Sequence, residues 1–203
     1  MAVADEVRSI VALLMTKPIT ETVLLEVKTT PGFRHLLVTD GIWSGLDQKD
    51  HEVTTGESPG WLEFALLYFL GNFIIPRKLG RLYPGDITFV LDGEPNDIRI
   101  SREPDISFVK AAHVTPSDGF IYRAPDIAIE IISPSQSYEF MVEKANLYCQ
   151  YGTQQVWIVF PKTRQIEVRT SDGDVARYGV GDQIDGGALL PGLILDVRAV
   201  FEL

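Results

Sequence analysis

The chain has 203 residues, 45 % of them hydrophobic, which suits one domain, or one domain with an extension, and argues against disorder. Its formal charge of −10 argues against gripping polyanions through a basic surface, although carboxylates that hold divalent cations can offset phosphate charge locally. One cysteine, Cys149, rules out an internal disulfide, and the short Val7–Met15 stretch carries no secretory signal, so a soluble, cytoplasmic protein is expected.

In chain order, the first fifty residues suggest a short helix, then extended segments at Glu21–Thr29 and His35–Thr39 separated by Pro31-Gly32. Asp47–Pro59 is polar and loop-like, with Ser58 suited to a helix cap and Pro59 to the first helical position. The apolar run Trp61–Ile75 follows. It contains Glu63, Gly71 and Asn72 and falls short of the roughly 20 residues that span a bilayer, so it reads as a buried core helix.

Past Gly80, short β-branched or aromatic runs at Ile87–Leu91, Ile98–Ile100 and Ile106–Val109 predict strands, and Pro125–Ile132 predicts the strongest one. A helix is predicted over Ser137–Tyr151, closed by Gly152. Gln155–Phe160 and Gln165–Thr170 then form a hairpin, and Ser171-Asp172-Gly173 leads to a third strand. The order predicts an α/β (α+β) fold on a mixed central sheet, with residues 1–57 as an extension packed on a core of residues 58–203.

Alternation along Pro125–Ile132 puts Ile127, Ile129 and Ile131 on one face and Asp126, Ala128, Glu130 and Ile132 on the other. The two carboxylates make either a solvent-facing side or an acidic concavity. On the helix that follows, Leu147, Phe140, Tyr151, Tyr148, Met141 and Ala145 fill one arc with Lys144 near its middle. A lysine there needs an anion, for which the preceding strand is the economical source, unless its stem carries the charge out to water.

Pro104-Asp105 opens another strand or marks a turn, and Glu63 sits either among apolar neighbours in need of a cation or near an exposed helix start. These oxygen donors with one lysine suit Mg²⁺ or Mn²⁺ better than zinc. His35, His51 and His113 show no ligand spacing and read as isolated surface or loop residues. There is no phosphate loop, dinucleotide fingerprint or serine-nucleophile motif, and Ser133-Pro134-Ser135 reads as a strand-to-helix turn.

Arg102-Glu103-Pro104-Asp105-Ile106-Ser107-Phe108-Val109, Pro125-Asp126-Ile127-Ala128-Ile129-Glu130-Ile131-Ile132-Ser133-Pro134-Ser135, Lys144 through Tyr148 to Tyr151-Gly152, Val156-Trp157-Ile158-Val159 and Leu190-Pro191-Gly192-Leu193 resemble, in this order, the Uma-type restriction endonuclease family of the PD-(D/E)xK nuclease superfamily. The resemblance covers roughly Gly80 to the C-terminus. It implies a mixed sheet flanked by helices, DNA as substrate, and Asp105 and Glu130 as metal ligands. It also implies a lysine from the following helix, here Lys144, in place of one two residues after the acidic residue, where this chain has Ile132. Glu63 would be the superfamily's helix carboxylate and Asp126 an auxiliary group. Family members often carry aspartate four residues before the helix lysine, and this chain has Phe140 there.

The expected function is Mg²⁺-dependent hydrolysis of DNA, with a possible homodimer to cut both strands. The competing expectations are a nuclease-fold binding or regulatory protein without turnover, and a structural protein in which Lys144 and Glu130 form a buried ion pair.

Overall fold

A computed structural model describes residues 12–30, 33, 36–44, 57–116, 118–134 and 136–202. The expectations for Pro31-Gly32, His35, His51 and most of the Asp47–Pro59 loop lie outside these residues. Contacts divide the chain into two compact units, one of Met1–Thr54, Thr88–Arg102 and Asp118–Arg123, the other of Thr55–Ile87, Glu103–Ser117 and Ala124–Leu203. The sequence reading instead drew a single boundary at residue 57. The difference arises because a later hairpin clusters with the N-terminal part.

In the smaller unit, Glu21–Thr29 is a helix (α1), which corrects the extended segment expected there. Its β-branched residues suggest a strand, but Thr20 caps it by accepting from the Val23 N–H at 3.3 Å, and Leu24 and Val27 bury one stripe. Strands β1 (Leu37–Thr39) and β2 (Ile42–Ser44) form a hairpin. Its two turn residues, Asp40 and Gly41, both have positive φ, 53° and 67°, as a type I′ turn requires. The unit's core comprises Ile19, Leu24, Val27, Leu36, Val38, Trp43, Val90 and Ile98, the last two from the hairpin of β4 (Phe89–Glu94) and β5 (Asp97–Arg102), the later hairpin noted above.

The larger unit opens with helix α2, Glu57–Arg77, so Ser58 lies inside its first turn and does not cap it, and Pro59 stands at the third helical position and not the first. Leu62, Leu66, Leu70 and Ile74 form the buried stripe expected of a core helix. Its far side is not buried, however. Trp61, Phe64, Tyr68 and Ile75 are exposed, the three rings packed in series at 5.5 and 6.4 Å, because only one stripe of a helix can reach the sheet below. Among the described residues, no helix is long and apolar enough to cross a membrane.

The sheet of this unit contains β3 (Gly80–Pro84), β6 (Ile106–Lys110), β7 (Ile127–Ile131), β8 (Gln155–Phe160), β9 (Gln165–Thr170) and β10 (Val175–Gly179), in the spatial order β10-β9-β8-β7-β6-β3. Only β7 and β8 run parallel, which obliges a crossover, and helix α3 (Tyr138–Gln150) supplies it. This is the mixed central sheet flanked by helices that was expected. A further pair, β11 (Gln183–Asp185) and β12 (Ile194–Asp196), precedes a closing helix α4 (Val197–Glu202).

One sheet face carries Ile106, Phe108, Ile127, Ile129, Ile131, Trp157, Val159, Ile166 and Val168, which share a core with α2 and the C-terminal elements. Strand β7 is buried along its whole length, so the solvent-facing alternative for Asp126 and Glu130 is excluded. The close approach of β3 to β6 needs Gly80, where an added Cβ would stand 2.8 Å from a Phe108 ring carbon and 2.9 Å from the Lys110 Cα. Gly80→Ala is expected to destabilise the chain by about 1–3 kcal/mol or more, measured by urea unfolding. An unchanged midpoint would contradict this strand pairing.

Candidate active site

Asp105 precedes β6, and its Oδ2 accepts the Ile131 N–H at 2.6 Å, tying the start of β6 to the end of β7. One step back along β7, Glu130 is 3 % exposed on the face opposite the isoleucines. After the turn beyond Ile132, Ser137 caps α3 by accepting from the Phe140 N–H at 3.1 Å, and the helix returns across that face. Met141, Ala145 and Tyr148 are its buried residues. Phe140 is exposed, which corrects its place in the expected apolar arc. Three residues at one-turn spacing are enough to dock so short a helix.

Lys144 projects from the edge of this stripe. Its Nζ lies 2.7 Å from Glu130 Oε2, with the two side chains 16 % and 4 % exposed. The ammonium therefore does not reach out to water alone. Tyr148, one helical turn on, donates its hydroxyl to Glu130 Oε1 at 2.8 Å. The sequence reading counted Tyr148 only as core, although its spacing of four from Lys144 marks a shared face.

Burial drives the Glu130 carboxyl up to about 7, with neighbouring Asp105 adding to the rise and Lys144 and Tyr148 opposing it. Burial also raises Asp105, helped by Asp86 and opposed by the Lys144 charge and the Ile131 N–H. Glu63 on α2 accepts the Gly85 N–H at 3.3 Å, and burial raises its carboxyl with Asp105 and Asp86 contributing. Asp105 is thus the shared neighbour: it feels Lys144 and Asp86, while Glu63 and Glu130 both feel it.

Asp126 keeps different company. It lies four residues before Glu130, roughly 13 Å along the strand, and accepts from the Lys110 N–H at 2.8 Å and from Gln154 Nε2 at 3.2 Å. His113 Nδ1 stands 2.8 Å from its Oδ1, so this histidine is not the isolated residue the sequence suggested. Its partner is thirteen positions away, and no local spacing reveals it.

The donors around Asp105 are all oxygens, and their mutual repulsion is of the kind a hard divalent cation relieves. Among the described residues, no three His, Cys, Asp or Glu side chains stand close enough to enclose a metal ion. Asp105 and Glu130 would offer a divalent ion at most a partial shell of protein oxygens, and Mg²⁺ usually completes such a shell with water or substrate oxygens.

The Uma2 family model, described as "Putative restriction endonuclease", matches residues 52–198. The chain belongs to the Uma2 family. No curated protein matches it. Among solved structures it is similar to "a putative nuclease belonging to DUF820" from Anabaena variabilis ATCC 29413, at 18 % identity and a TM-score of 0.69, covering 91 % of this chain and 98 % of that one. At that identity the likeness speaks for the fold, which is restriction-endonuclease-like, with a central mixed sheet between helices. The Uma2 match begins at residue 52, well before the Gly80 at which the sequence resemblance starts. It takes in α2 and Glu63.

Proposed function

We propose that this chain is a metal-dependent endonuclease that hydrolyses DNA phosphodiester bonds at Asp105, Glu130 and Lys144, working in the cytoplasm. The observation that carries this reading is the Lys144 ammonium held 2.7 Å from Glu130 while Asp105 anchors the adjoining strand end. Asp105 and Glu130 would hold Mg²⁺ or Mn²⁺, with Glu63 as an additional carboxylate nearby. When bound, such an ion polarises a phosphate and lowers the pKa of a water. Lys144 orients that water or stabilises charge developing on the phosphate. Tyr148 fixes the Glu130 carboxylate. Asp126 acts at a distance, by holding β6, through the Lys110 N–H, against β7.

A second reading has its own support. Both Glu130 oxygens are already bonded, and Phe140 occupies the position where family members often have aspartate. These features suit a nuclease-fold binding or regulatory protein without turnover.

Calorimetric titration of Mn²⁺ alongside plasmid nicking decides between them. The nuclease reading expects binding and EDTA-sensitive nicking together. Absence of both in the wild-type chain would favour the inactive relative. Lys144→Met is expected to keep Mn²⁺ binding and to lose nicking by at least about 100-fold. A purely structural ion pair would instead leave nicking untouched and lower only stability, because Glu130 would stay buried with no cation beside it. Two copies acting together, or two visits by one, are consistent with cutting a duplex, and light scattering would report the homodimer.

A further inference from the structure

A second buried carboxylate on the same sheet face has no part in the chemistry above. Glu130 pairs in register with Ile158, and Ile158 with Glu167, so the two acids lie in one row across β7, β8 and β9. Two strand spacings put them roughly 10 Å apart. Glu167 is 1 % exposed. It accepts from Arg169 Nη1 at 2.7 Å, Arg177 Nε at 2.6 Å and the Tyr138 hydroxyl at 3.1 Å. Burial works against its charge, but those three bonds together outweigh burial and hold the carboxyl below its usual range.

One anion thus holds two guanidiniums, leaving an excess positive charge in a chain of formal charge −10. Neutralising Glu167 requires one of them. Arg169 is the enclosed one, 17 % exposed, whereas the Arg177 side chain is 49 % exposed. Arg177 gives Nε to Glu167 and a further bond to the Tyr138 hydroxyl, which leaves the rest of its five N–H groups on a half-exposed side chain. Its guanidinium lies 5.1 Å from the Tyr138 ring centroid and 5.3 Å from that of Phe160, which limits its rotation. Phe160 ends β8, which is parallel to β7, so this platform is at the same end of the sheet as the Asp105–Ile131 contact. The outward edge of the guanidinium is a preorganised fork of the geometry that receives two oxygens of one phosphate.

We propose that Arg177, positioned by Glu167 against Tyr138 and Phe160, contacts a backbone phosphodiester of the nucleic-acid strand flanking the bond cut at Asp105, Glu130 and Lys144. This rests on the nuclease reading and extends it to how the substrate is held. Arg177 pairs in register with Glu167, one strand further out, so three strand spacings put it roughly 14 Å from Glu130, about four nucleotides of rise along one strand. The fork makes its contact whatever the base, so Arg177 supplies affinity and register without sequence preference.

The test is fluorescence anisotropy of a labelled 20-base-pair duplex in EDTA, across a salt series, with wild type, Arg177→Gln and Arg177→Lys. Arg177→Gln is expected to bind about fivefold more weakly near 0.15 M salt and to lower the slope of log K against log salt by about 0.9, the signature of one lost phosphate contact. Arg177→Lys retains most of the slope while losing the two-pronged bond. In nicking assays Arg177→Gln raises KM and leaves kcat nearly unchanged. Millimolar inorganic phosphate should not displace the duplex; displacement would mean a site for free phosphate and would overturn the assignment. Should Arg177→Gln lower the melting temperature while affinity and slope match wild type, the cluster is structural and the proposal fails alone. A wild-type chain that neither binds nor nicks DNA would remove the nuclease reading first, and this inference with it.

Discussion

Glu130→Gln is expected to abolish Mn²⁺-dependent nicking, by at least about 100-fold, while the chain still folds. Glutamine keeps the volume of the buried side chain and can still accept from Tyr148, but it removes the charge that faces Lys144 at 2.7 Å. Retained nicking would mean that the reaction occurs elsewhere.

The same residue should govern stability against pH. Burial first, and Asp105 second, raise its carboxyl to about 7 from an ordinary 4.5. The folded chain then binds this proton more tightly than the unfolded chain does. Its contribution to stability is complete below pH 4.5, declines as the pH rises, and is gone above about 7. At about 1.4 kcal/mol per pH unit, that window amounts to roughly 3 kcal/mol. Asp105 and Glu63, raised mainly by burial, add in the same direction. Thermal melts in EDTA between pH 4.5 and 8 should therefore fall more steeply for wild type than for Glu130→Gln. Parallel profiles would show that Glu130 is ionised throughout.

Glu167→Ala is expected to cost about 3 kcal/mol, the low end for breaking a buried ion pair. The cost comes from Arg169, which is 17 % exposed and would keep its charge with no anion beside it. Arg177, half exposed, can turn to water and adds little. In a chain of this size the melting temperature should drop by roughly 6–12 °C. Glu167→Leu combined with Arg169→Leu should recover much of the loss, because an apolar pair of similar volume needs no counter-charge. A melting temperature unchanged by Glu167→Ala would mean that this network does not stabilise the sheet edge.

Local pattern determined a good deal of this molecule by itself. Period-two alternation located the strand around Ile127–Ile131, a β-branched and aromatic run located Gln155–Phe160, and the Ser137 and Gly152 punctuation framed α3, because capping and pleat are short-range effects. The demand that Lys144 find an anion was also legible, since a helix face can be computed from spacing alone. Segment Glu21–Thr29 was misread because β-branched composition is a weak bias that a cap and a buried stripe override.

Only tertiary structure decided which carboxylate serves which cation. Asp126 and Glu130 share a strand face in sequence, yet one is bonded to His113 and Gln154 and the other to Lys144 and Tyr148. Glu167 and Arg169 alternate with Ile166 and Val168 as any exposed strand would, and their partners are Tyr138 from α3 and, for Glu167, Arg177 from β10. Charge pairing over these distances depends on how strands stack and where a crossover helix lands, and no periodicity within a single segment carries that information.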